Sequence, residues 1–294
     1  MTYKLAISIL STATGLALFA LPASASDVSV LMPSGVSVQY DPFTSQAGLQ
    51  AVSVEVSYSG ATPKQARLVI TPETDTEFVM ANAGERVEFV IEGPAGMFTP
   101  SRFEMPISLV PSSAPQIIEL EFKIPAGQYA DAALFESDLV FTLEDATSSM
   151  ALSEDFLRAS TNIPARAQTN FAGANAGYLN GTSFALVDFG EIEVGARRNI
   201  NFQVRGNTNV LIEVSSENHG TMVNTAMPSQ HPIPYRIVAD GEALDLSAPQ
   251  SLMRRPERTL AGSSYPMEVI IGKPDEGLFS GQYRDIITID VTPG

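Results

Sequence analysis

Few side chains in this sequence have a type and spacing that could carry acid–base or metal chemistry. The 294 residues include two histidines, His219 and His231, and no cysteine. A zinc site takes histidine or cysteine ligands at short paired spacings, which two histidines 12 residues apart do not provide. Neighbouring carboxylates such as Glu154 and Asp155 are interpreted as solvated faces or turns. We therefore predict that the protein is not an enzyme and has no metal or cofactor.

The strongest local charge pattern is the basic segment Arg254-Arg255-Pro256-Glu257-Arg258. Its central proline predicts a loop, and that loop is either exposed to solvent or docked to an acidic partner. The chain as a whole is acidic, with 33 Asp and Glu against 17 Lys and Arg, and has a net charge of −16. Binding to nucleic acid depends on a basic surface. The composition therefore excludes nucleic acid as a partner.

A five-residue phrase occurs twice and divides the chain into halves. Gly-Gln-Tyr-Ala-Asp at residues 127–131 recurs as Gly-Gln-Tyr-Arg-Asp at residues 281–285, an offset of 281 − 127 = 154 residues. The glycine permits a tight approach to a strand, and the tyrosine hydroxyl can span a corner of an immunoglobulin-like sandwich to reach backbone. The aspartate can then cap the turn. We predict a structural corner at each copy, formed by Gly127, Tyr129, Asp131, Gly281, Tyr283 and Asp285.

The elements around both copies are predicted to be β-strands. Apolar and polar residues alternate at 52–56, 118–122, 200–204 and 287–291. This is the period of a strand that has one face in a core and one in water. The 21 glycines and 20 prolines are suited to turns between many short strands. We predict an all-β fold of two tandem immunoglobulin-like β-sandwich domains.

The order of the elements is repeated together with the phrase, which indicates a duplication. A second strand at 66–71 in the first half corresponds to one at 210–215 in the second. The two halves are expected to join near 155–164, where 153–160 is either a short helix or the closing strand of the first domain. The predicted limits are 26–160 for the N-terminal domain and 161–294 for the C-terminal domain.

The first 25 residues predict an export signal. Lys4 gives a positive start, residues 5–21 are apolar, and Ala23-Ser24-Ala25 forms a cleavage site of small residues. A membrane anchor is the weaker interpretation, because the apolar run is short and no stop-transfer charges follow it. We expect residues 1–25 to be removed and the mature protein to be exported.

The second half resembles the spore coat protein U domain, the subunit module of archaic chaperone–usher pili. Four features carry the resemblance: Phe189-Gly190, a Ser-Asn-Gly-type turn at 215–220, a Tyr-x-x-x-x-Asp-Gly strand end at 235–241, and the terminal phrase at 281–293. It covers residues 165–294 well and 27–148 loosely. The chain lacks the cysteine pair of many members.

The resemblance implies a two-domain subunit at the tip of such a pilus, with an N-terminal binding domain and a C-terminal pilin domain. The implied partners are a periplasmic chaperone, an outer-membrane usher, an adjacent pilus subunit, and an abiotic or host surface. The implied location is the cell-surface fimbrium, reached through the periplasm. Two alternatives remain open. One is a minor or shaft pilin of the same system, and the other is a secreted carbohydrate-binding β-sandwich protein, whose aromatic platforms would have to lack tryptophan.

The residues after the second phrase predict a sandwich without its last strand. Side chains 287, 289 and 291 share one face, and only residues 292–294 remain to supply the further strand that such a fold needs. Burying five side chains at ~2 kcal/mol each would favour an incoming strand by roughly 10 kcal/mol before ordering costs. Another chain could donate this strand; alternatively, residues 27–38 fold back and complete a sheet. The predicted donor-strand groove consists of Ile287, Ile289, Val291, Phe202 and Val204.

Apolar residues among glycines and prolines in the first half predict an adhesive loop. The segment 96–100 places a methionine and a phenylalanine between a glycine and a proline, and two more apolar residues follow closely. An exposed hydrophobic finger would fit the adhesion that the resemblance implies for a tip subunit. A lid packed on the end of the sandwich is the alternative. The candidate residues are Met97, Phe98, Phe103 and Met105.

Overall fold

Strands account for the regular structure of this chain. The computed structural model describes residues 27–112, 114–171, 178, 185–229, 231–274 and 277–294. These residues form 22 strands and no helix, so the prediction of an all-β fold is confirmed. In keeping with this, the described residues contain no helix suited to crossing a membrane. The export signal predicted at 1–25 lies outside the described residues.

The first sandwich contains twelve strands. They are β1 (Val28–Leu31), β2 (Gly35–Ser37), β3 (Gly48–Tyr58), β4 (Lys64–Pro72), β5 (Val79–Asn82), β6 (Glu85–Glu88), β7 (Val90–Glu92), β8 (Met97–Thr99), β9 (Arg102–Leu109), β10 (Gln116–Ile124), β11 (Ala133–Asp145) and β12 (Ala151–Ile163). One sheet has the order β1-β3-β10-β7 and the other β2-β12-β11-β4-β9-β8, with the β5–β6 hairpin joined to β11. Alternate residues of both sheets, such as Val54, Leu120 and Phe141, face inward and form one core.

Two segments whose roles the sequence leaves open are strands of this first sandwich. Residues 153–160 lie within β12, so the closing-strand interpretation is correct and the short helix is not formed. β12 pairs antiparallel with β11, and β2 pairs parallel with β12. β1 pairs with β3. The segment 27–38 therefore completes the first sandwich and does not fold back onto the second.

The second sandwich contains ten strands. They are β13 (Ala167–Phe171), β14 (Arg197–Gly206), β15 (Val210–Ser216), β16 (Thr221–Asn224), β17 (Ile233–Ala239), β18 (Glu242–Leu244), β19 (Gln250–Arg254), β20 (Ser263–Ile271), β21 (Tyr283–Arg284) and β22 (Ile287–Pro293). One sheet has the order β13-β14-β20-β17-β16-β21, with β18 paired to β17, and the other has the order β19-β15-β22. A second core, separate from the first, lies between these sheets.

The strand order of the second sandwich repeats that of the first. β13-β14-β20-β17 corresponds to β1-β3-β10-β7, and β19-β15-β22 corresponds to β9-β4-β11. β11 and β22 are the strands that follow the two copies of the repeated phrase. The architecture is thus two tandem β-sandwiches of related topology, in agreement with the repeat in the sequence.

A short connection, residues 164–166, joins the two sandwiches. Ile163 at the end of β12 is buried in the first core, and Ala167 at the start of β13 packs against the second. The division placed between residues 160 and 161 from the sequence falls within β12.

Candidate functional site

The free edge of β22 is the candidate functional site. β22 pairs antiparallel with β15, from Ile287 opposite Ser216 to Pro293 opposite Val210. On its other side it pairs with no strand among the described residues. In the first sandwich the corresponding strand, β11, lies between two partners, β4 and β12. An unpaired edge presents backbone N–H and C=O groups that can bind a further strand.

The inward side chains of β22 are less buried than those of β11. Ile287, Ile289 and Val291 pack on the second core but remain partly exposed. On β11, Leu139 and Phe141 are fully buried. Both strands have the same alternation of apolar residues. The difference in burial follows from the additional neighbour, β12, which covers β11 and has no counterpart beside β22 in the described part of the chain.

β13 lies next to β22 at the margin of the second sandwich. It pairs with β14 and with no other described strand, and part of it lies within 8 Å of β22, which belongs to the other sheet. Phe171 of β13 packs against Phe202 of β14, with ring centroids 5.6 Å apart. Phe202 and Val204 are buried beneath the groove. The structure thus brings the five predicted groove residues into one cluster, which comprises Ile287, Ile289, Val291, Phe202 and Val204.

A polar cluster around Asp285 positions the beginning of β22. One carboxylate oxygen accepts hydrogen bonds from Ser216 Oγ at 2.6 Å and from the Tyr235 hydroxyl. The other oxygen accepts a bond from the Asn218 backbone amide at 3.0 Å. Burial and the hydrogen bond to Asp285 raise the pKa of Tyr235 well above its usual value, so the hydroxyl remains a donor. The cluster therefore ties β15 and β17 to the segment that leads directly into β22.

The second copy of the repeated phrase forms a compact corner just before β22. The Tyr283 hydroxyl donates to the Phe279 backbone oxygen at 3.2 Å. Gly281 has φ of +149°, and a Cβ at this position would lie 2.7 Å from Asn224 Nδ2. Both backbone conformation and close packing therefore require glycine here.

The first copy of the phrase is built differently. Tyr129 places its ring against Phe43, with centroids 6.5 Å apart. The hydroxyl that spans this corner belongs to Tyr40, which donates to the Gln128 oxygen at 3.1 Å and accepts from the Gln128 amide at 2.8 Å. Gly127 has φ of +87°, in the left-handed region. The role of Tyr40 was not predicted, because its contact lies 88 residues along the chain.

The four candidate adhesive residues are divided between surface and core. Met97 is 69 % exposed, whereas Phe103 and Met105 are 1 % and 4 % exposed. Phe98 is partly buried and packs against Phe78, with centroids 5.2 Å apart. Phe103 and Met105 are therefore inward residues of β9, not parts of an exposed finger, and only Met97 is available for contact with a surface.

Other exposed apolar side chains lie at the end of the first sandwich farthest from the second. β11 begins beside the second sandwich, where the Ala132 amide donates to the Asn207 oxygen at 2.9 Å, and it ends at the opposite pole. Met150 lies in the β11–β12 turn at that pole and is 68 % exposed. Val110, which follows β9 at the same end, is 59 % exposed. Neither residue was predicted from the sequence, because each is a single apolar residue in a polar loop.

The described residues offer no arrangement of three or more His, Asp or Glu side chains that could hold a metal ion. The two histidines both have positive φ, at +52° for His219 and +50° for His231. His219 lies in a turn, and His231 lies in the irregular segment before β17. His231 contacts the Phe279 ring, with centroids 4.7 Å apart.

No family model matches the sequence, and no curated protein matches it. Solved structures of pilus proteins align at low identity. A chain of the CsuC–CsuE chaperone–tip adhesion subunit complex from archaic Csu pili of Acinetobacter baumannii is 11 % identical, with a TM-score of 0.46, and covers 90 % of this chain and 99 % of that one. CfaE, the adhesive subunit of CFA/I fimbria of enterotoxigenic Escherichia coli, is 11 % identical, with a TM-score of 0.37 and coverage of 90 % and 94 %. The CooA pilin of the same bacterium is 12 % identical, with a TM-score of 0.33 and coverage of 47 % and 98 %.

Proposed function

We propose that the free edge of β22 accepts a β-strand donated by another chain, and that the protein is an exported subunit of a chaperone–usher pilus. The observation that carries this proposal is the contrast between two equivalent strands. β11 has partners on both sides, whereas β22 has one among the described residues. The resemblance of residues 165–294 to the spore coat protein U domain supports the same assignment.

A donated strand would be stabilised in two ways. Its backbone would form hydrogen bonds along the free edge of β22, as in other cases of β-strand addition. Its apolar side chains would cover Ile287, Ile289 and Val291, which are partly exposed. Before assembly the same edge would promote aggregation. A periplasmic chaperone that occupies the edge, followed by transfer at an outer-membrane usher, would prevent this.

A position at the fibre tip is supported by the pairing of the first described residues. β1 and β2 are both strands of the first sandwich, so neither is free to fill the groove of a neighbour. This pairing fits a subunit at the end of a fibre, where a strand is accepted and no neighbour requires one in return. The first sandwich would then be the outermost part of the pilus.

Attachment to an abiotic or host surface is proposed for the far pole of the first sandwich. Met150 and Val110 are exposed there, and contact with an apolar surface would remove both side chains from water. Retention of the chaperone-bound chain on plain polystyrene tests this. The Val110→Ser/Met150→Ser variant should bind less, while Met97→Ser, on the side of the sandwich, should bind normally. Binding only to glycans on an array, unchanged in both variants, would instead support a carbohydrate-binding protein.

Hydrogen–deuterium exchange of the full chain tests the strand-accepting edge. We expect β22 amides to exchange faster than β11 amides in the chain alone, and to become protected when a periplasmic chaperone is co-expressed. Ile289→Lys, on the inner face of β22, should abolish recovery of the complex. Thr288→Lys, on the outer face of the same strand, is the matched control.

The proposal would be wrong if the chain expressed alone were a stable monomer that unfolds in one two-state transition, with β22 protected as well as β11. Equal recovery of the chaperone complex with Ile289→Lys and Thr288→Lys would also contradict it, because the inner face of β22 would then play no part in binding.

A further inference from the structure

The basic loop that follows β19 is docked on the first sandwich. Arg255 donates from Nη2 to Asp131 Oδ2 at 2.6 Å. Arg258 pairs with Glu85, and its Nη1 lies 3.4 Å from Asp131 Oδ1. The segment is largely exposed, as expected of a solvated loop. Its two arginines nevertheless contact acidic residues of the first half of the same chain.

The charge distribution explains why the loop docks there. Residues 27–163 hold 19 acidic and 6 basic side chains, a net charge of 6 − 19 = −13. Within this acidic surface the Asp131 amide donates to Glu85 Oε2 at 2.9 Å, so the two carboxylates lie close together. Without a cation they would repel each other. Arg255 and Arg258 supply the compensating charge from the other domain.

Hydrogen bonds between uncharged groups join the two sandwiches beside these ion pairs. Asn207, in the β14–β15 turn, is 2 % exposed. Its side-chain oxygen accepts from the Arg166 amide at 2.8 Å, and its side-chain nitrogen donates to the Pro164 oxygen at 3.0 Å. Its backbone oxygen accepts from the Ala132 amide at 2.9 Å. One buried residue of the second sandwich is thus bonded to both the connection and the first sandwich.

The same turn contacts the end of the candidate site. The Gly294 amide, after β22, donates to the Asn209 backbone oxygen at 2.7 Å. The Asn209 side-chain oxygen accepts from Arg255 Nη1 at 3.4 Å. The ion pairs therefore act directly beside the sheet β19-β15-β22 that carries the free edge.

We propose that Arg255 and Arg258, with Asp131 and Glu85, form an electrostatic latch that fixes the orientation of the first sandwich relative to β22. Isolated exposed ion pairs contribute little, and domains joined by a short polar interface usually move relative to each other. Here two arginines share two adjacent carboxylates in a strongly acidic domain, and the hydrogen bonds of the buried Asn207 lie in the turn that Arg255 contacts. Opening the latch separates opposite charges and leaves the carboxylates facing each other. This inference concerns the domain junction and does not depend on the proposed strand donation.

A distance measurement between spin labels on the full chain tests the latch. The chain has no cysteine, so Ser57→Cys and Ala243→Cys, both at exposed strand positions in different sandwiches, provide two unique labelling sites. We expect one narrow distance distribution at low salt. Its width should increase about twofold or more at about 1 M salt, where the Debye length is about 3 Å.

Charge reversal identifies the residues responsible. Arg255→Glu/Arg258→Glu should broaden the distribution at low salt, as should Asp131→Arg/Glu85→Arg, and the combination of all four substitutions should restore a narrow one. Arg254→Glu is the matched control, because Arg254 pairs with Asp240 and Glu242 of its own sandwich. An unchanged distribution in the double arginine variant, or no restoration in the fourfold variant, would overturn the proposal.

Discussion

β11 and β22 follow copies of the same phrase and occupy the same place in related sheets, yet their surroundings differ by one strand. β11 lies between β4 and β12, and its inward residues are fully buried. β22 has β15 on one side, and its inward residues remain partly exposed. Alternation along a strand thus determines which face turns inward, whereas the completeness of burial depends on the neighbouring strand. This dependence is what makes β22 a candidate for accepting a strand.

The two aspartates of the repeated phrase also have different surroundings, because their bonding partners lie in different parts of the chain. Asp285 is bonded within its own sandwich, to Ser216, Asn218 and Tyr235. Asp131 is bonded across the domain junction, to Arg255. The same aspartate of the repeated phrase therefore has an internal role in one copy and an interdomain role in the other.

The largest expected effect comes from truncating the equivalent inward residues of β11 and β22. Phe141→Ala should lower the free energy of unfolding by about 3–5 kcal/mol, because it leaves a cavity in a closed core. Ile289→Ala should cost about 1 kcal/mol, because this side chain already contacts solvent. Urea unfolding of the full chain, followed by far-UV circular dichroism, measures both. Equal losses would mean that β22 is as well covered as β11.

The second effect concerns the two aspartates. Asp285→Ala should destabilise the second sandwich by about 2–3 kcal/mol, since it leaves the buried Tyr235 hydroxyl without its charged acceptor. Asp131→Ala should change the unfolding free energy by less than about 1 kcal/mol, because its ion pairs are partly exposed. The same urea titration compares them. A reversed ranking would show that the interdomain role is the more important for stability.

Local pattern was sufficient to predict much of this structure. The alternation at 118–122 and 287–291 predicted β10 and β22, because each strand has one face on a core. The five groove residues were predicted together for the same reason. Phe103 and Met105 were misplaced because nearby glycine and proline suggested a loop, although the two residues themselves alternate with polar ones, as a strand requires. Here the alternation of apolar and polar residues predicted the structure better than the nearby glycine and proline did.

Long-range pairing is what the sequence did not reveal. The contact between Arg255 and Asp131 spans 124 residues, and that between Tyr40 and Gln128 spans 88. Neither has a local signal, because a charge or hydroxyl can find its partner only after the strands have been arranged. The repeated phrase was even misleading here, since identical residues predicted identical corners.

A smaller effect is the loss of stability at alkaline pH that is linked to the Tyr235 hydroxyl in the second sandwich. The pKa of Tyr235 is raised in the folded protein by burial and by Asp285, so the unfolded chain loses this proton first as pH rises. The associated stability is complete below about pH 10, the usual tyrosine value, and declines as pH increases further. Tyr235→Phe should reduce this decline, whereas Tyr58→Phe, in the first sandwich, should leave it unchanged. The remainder comes from Tyr40 and Tyr265, whose pKa values burial also raises. Thermal melts at increasing pH provide the measurement, and identical profiles for both variants would argue against the role of Tyr235.

The smallest effect is the acid sensitivity of the β11–β12 hairpin, in which β12 covers one edge of β11. Asp145 ends β11 and accepts hydrogen bonds from the Ser148 and Thr147 amides at 2.9 Å each, and Lys64 lies 3.1 Å away. The Ser148 amide first, then Lys64 and the Thr147 amide, hold the pKa of Asp145 well below its usual range. Its contribution to stability is therefore complete above about pH 4, the value in an unfolded chain, and is lost as pH falls further.

Asp145→Asn should weaken this acid dependence and should also lower stability at neutral pH, because the partly buried carboxylate at the end of β11 contributes its stabilisation there and an amide carries no charge for Lys64. Glu154→Gln, an exposed carboxylate on the same hairpin, is the matched control and should retain the wild-type profile. Exchange of β12 amides at successively lower pH is the most direct measurement. If the hairpin opens in acid, β11 should acquire the fast exchange expected of β22, because it would then have an uncovered edge of its own. Fast exchange throughout the first sandwich at the same pH would indicate instead that the hairpin cannot open separately from its core.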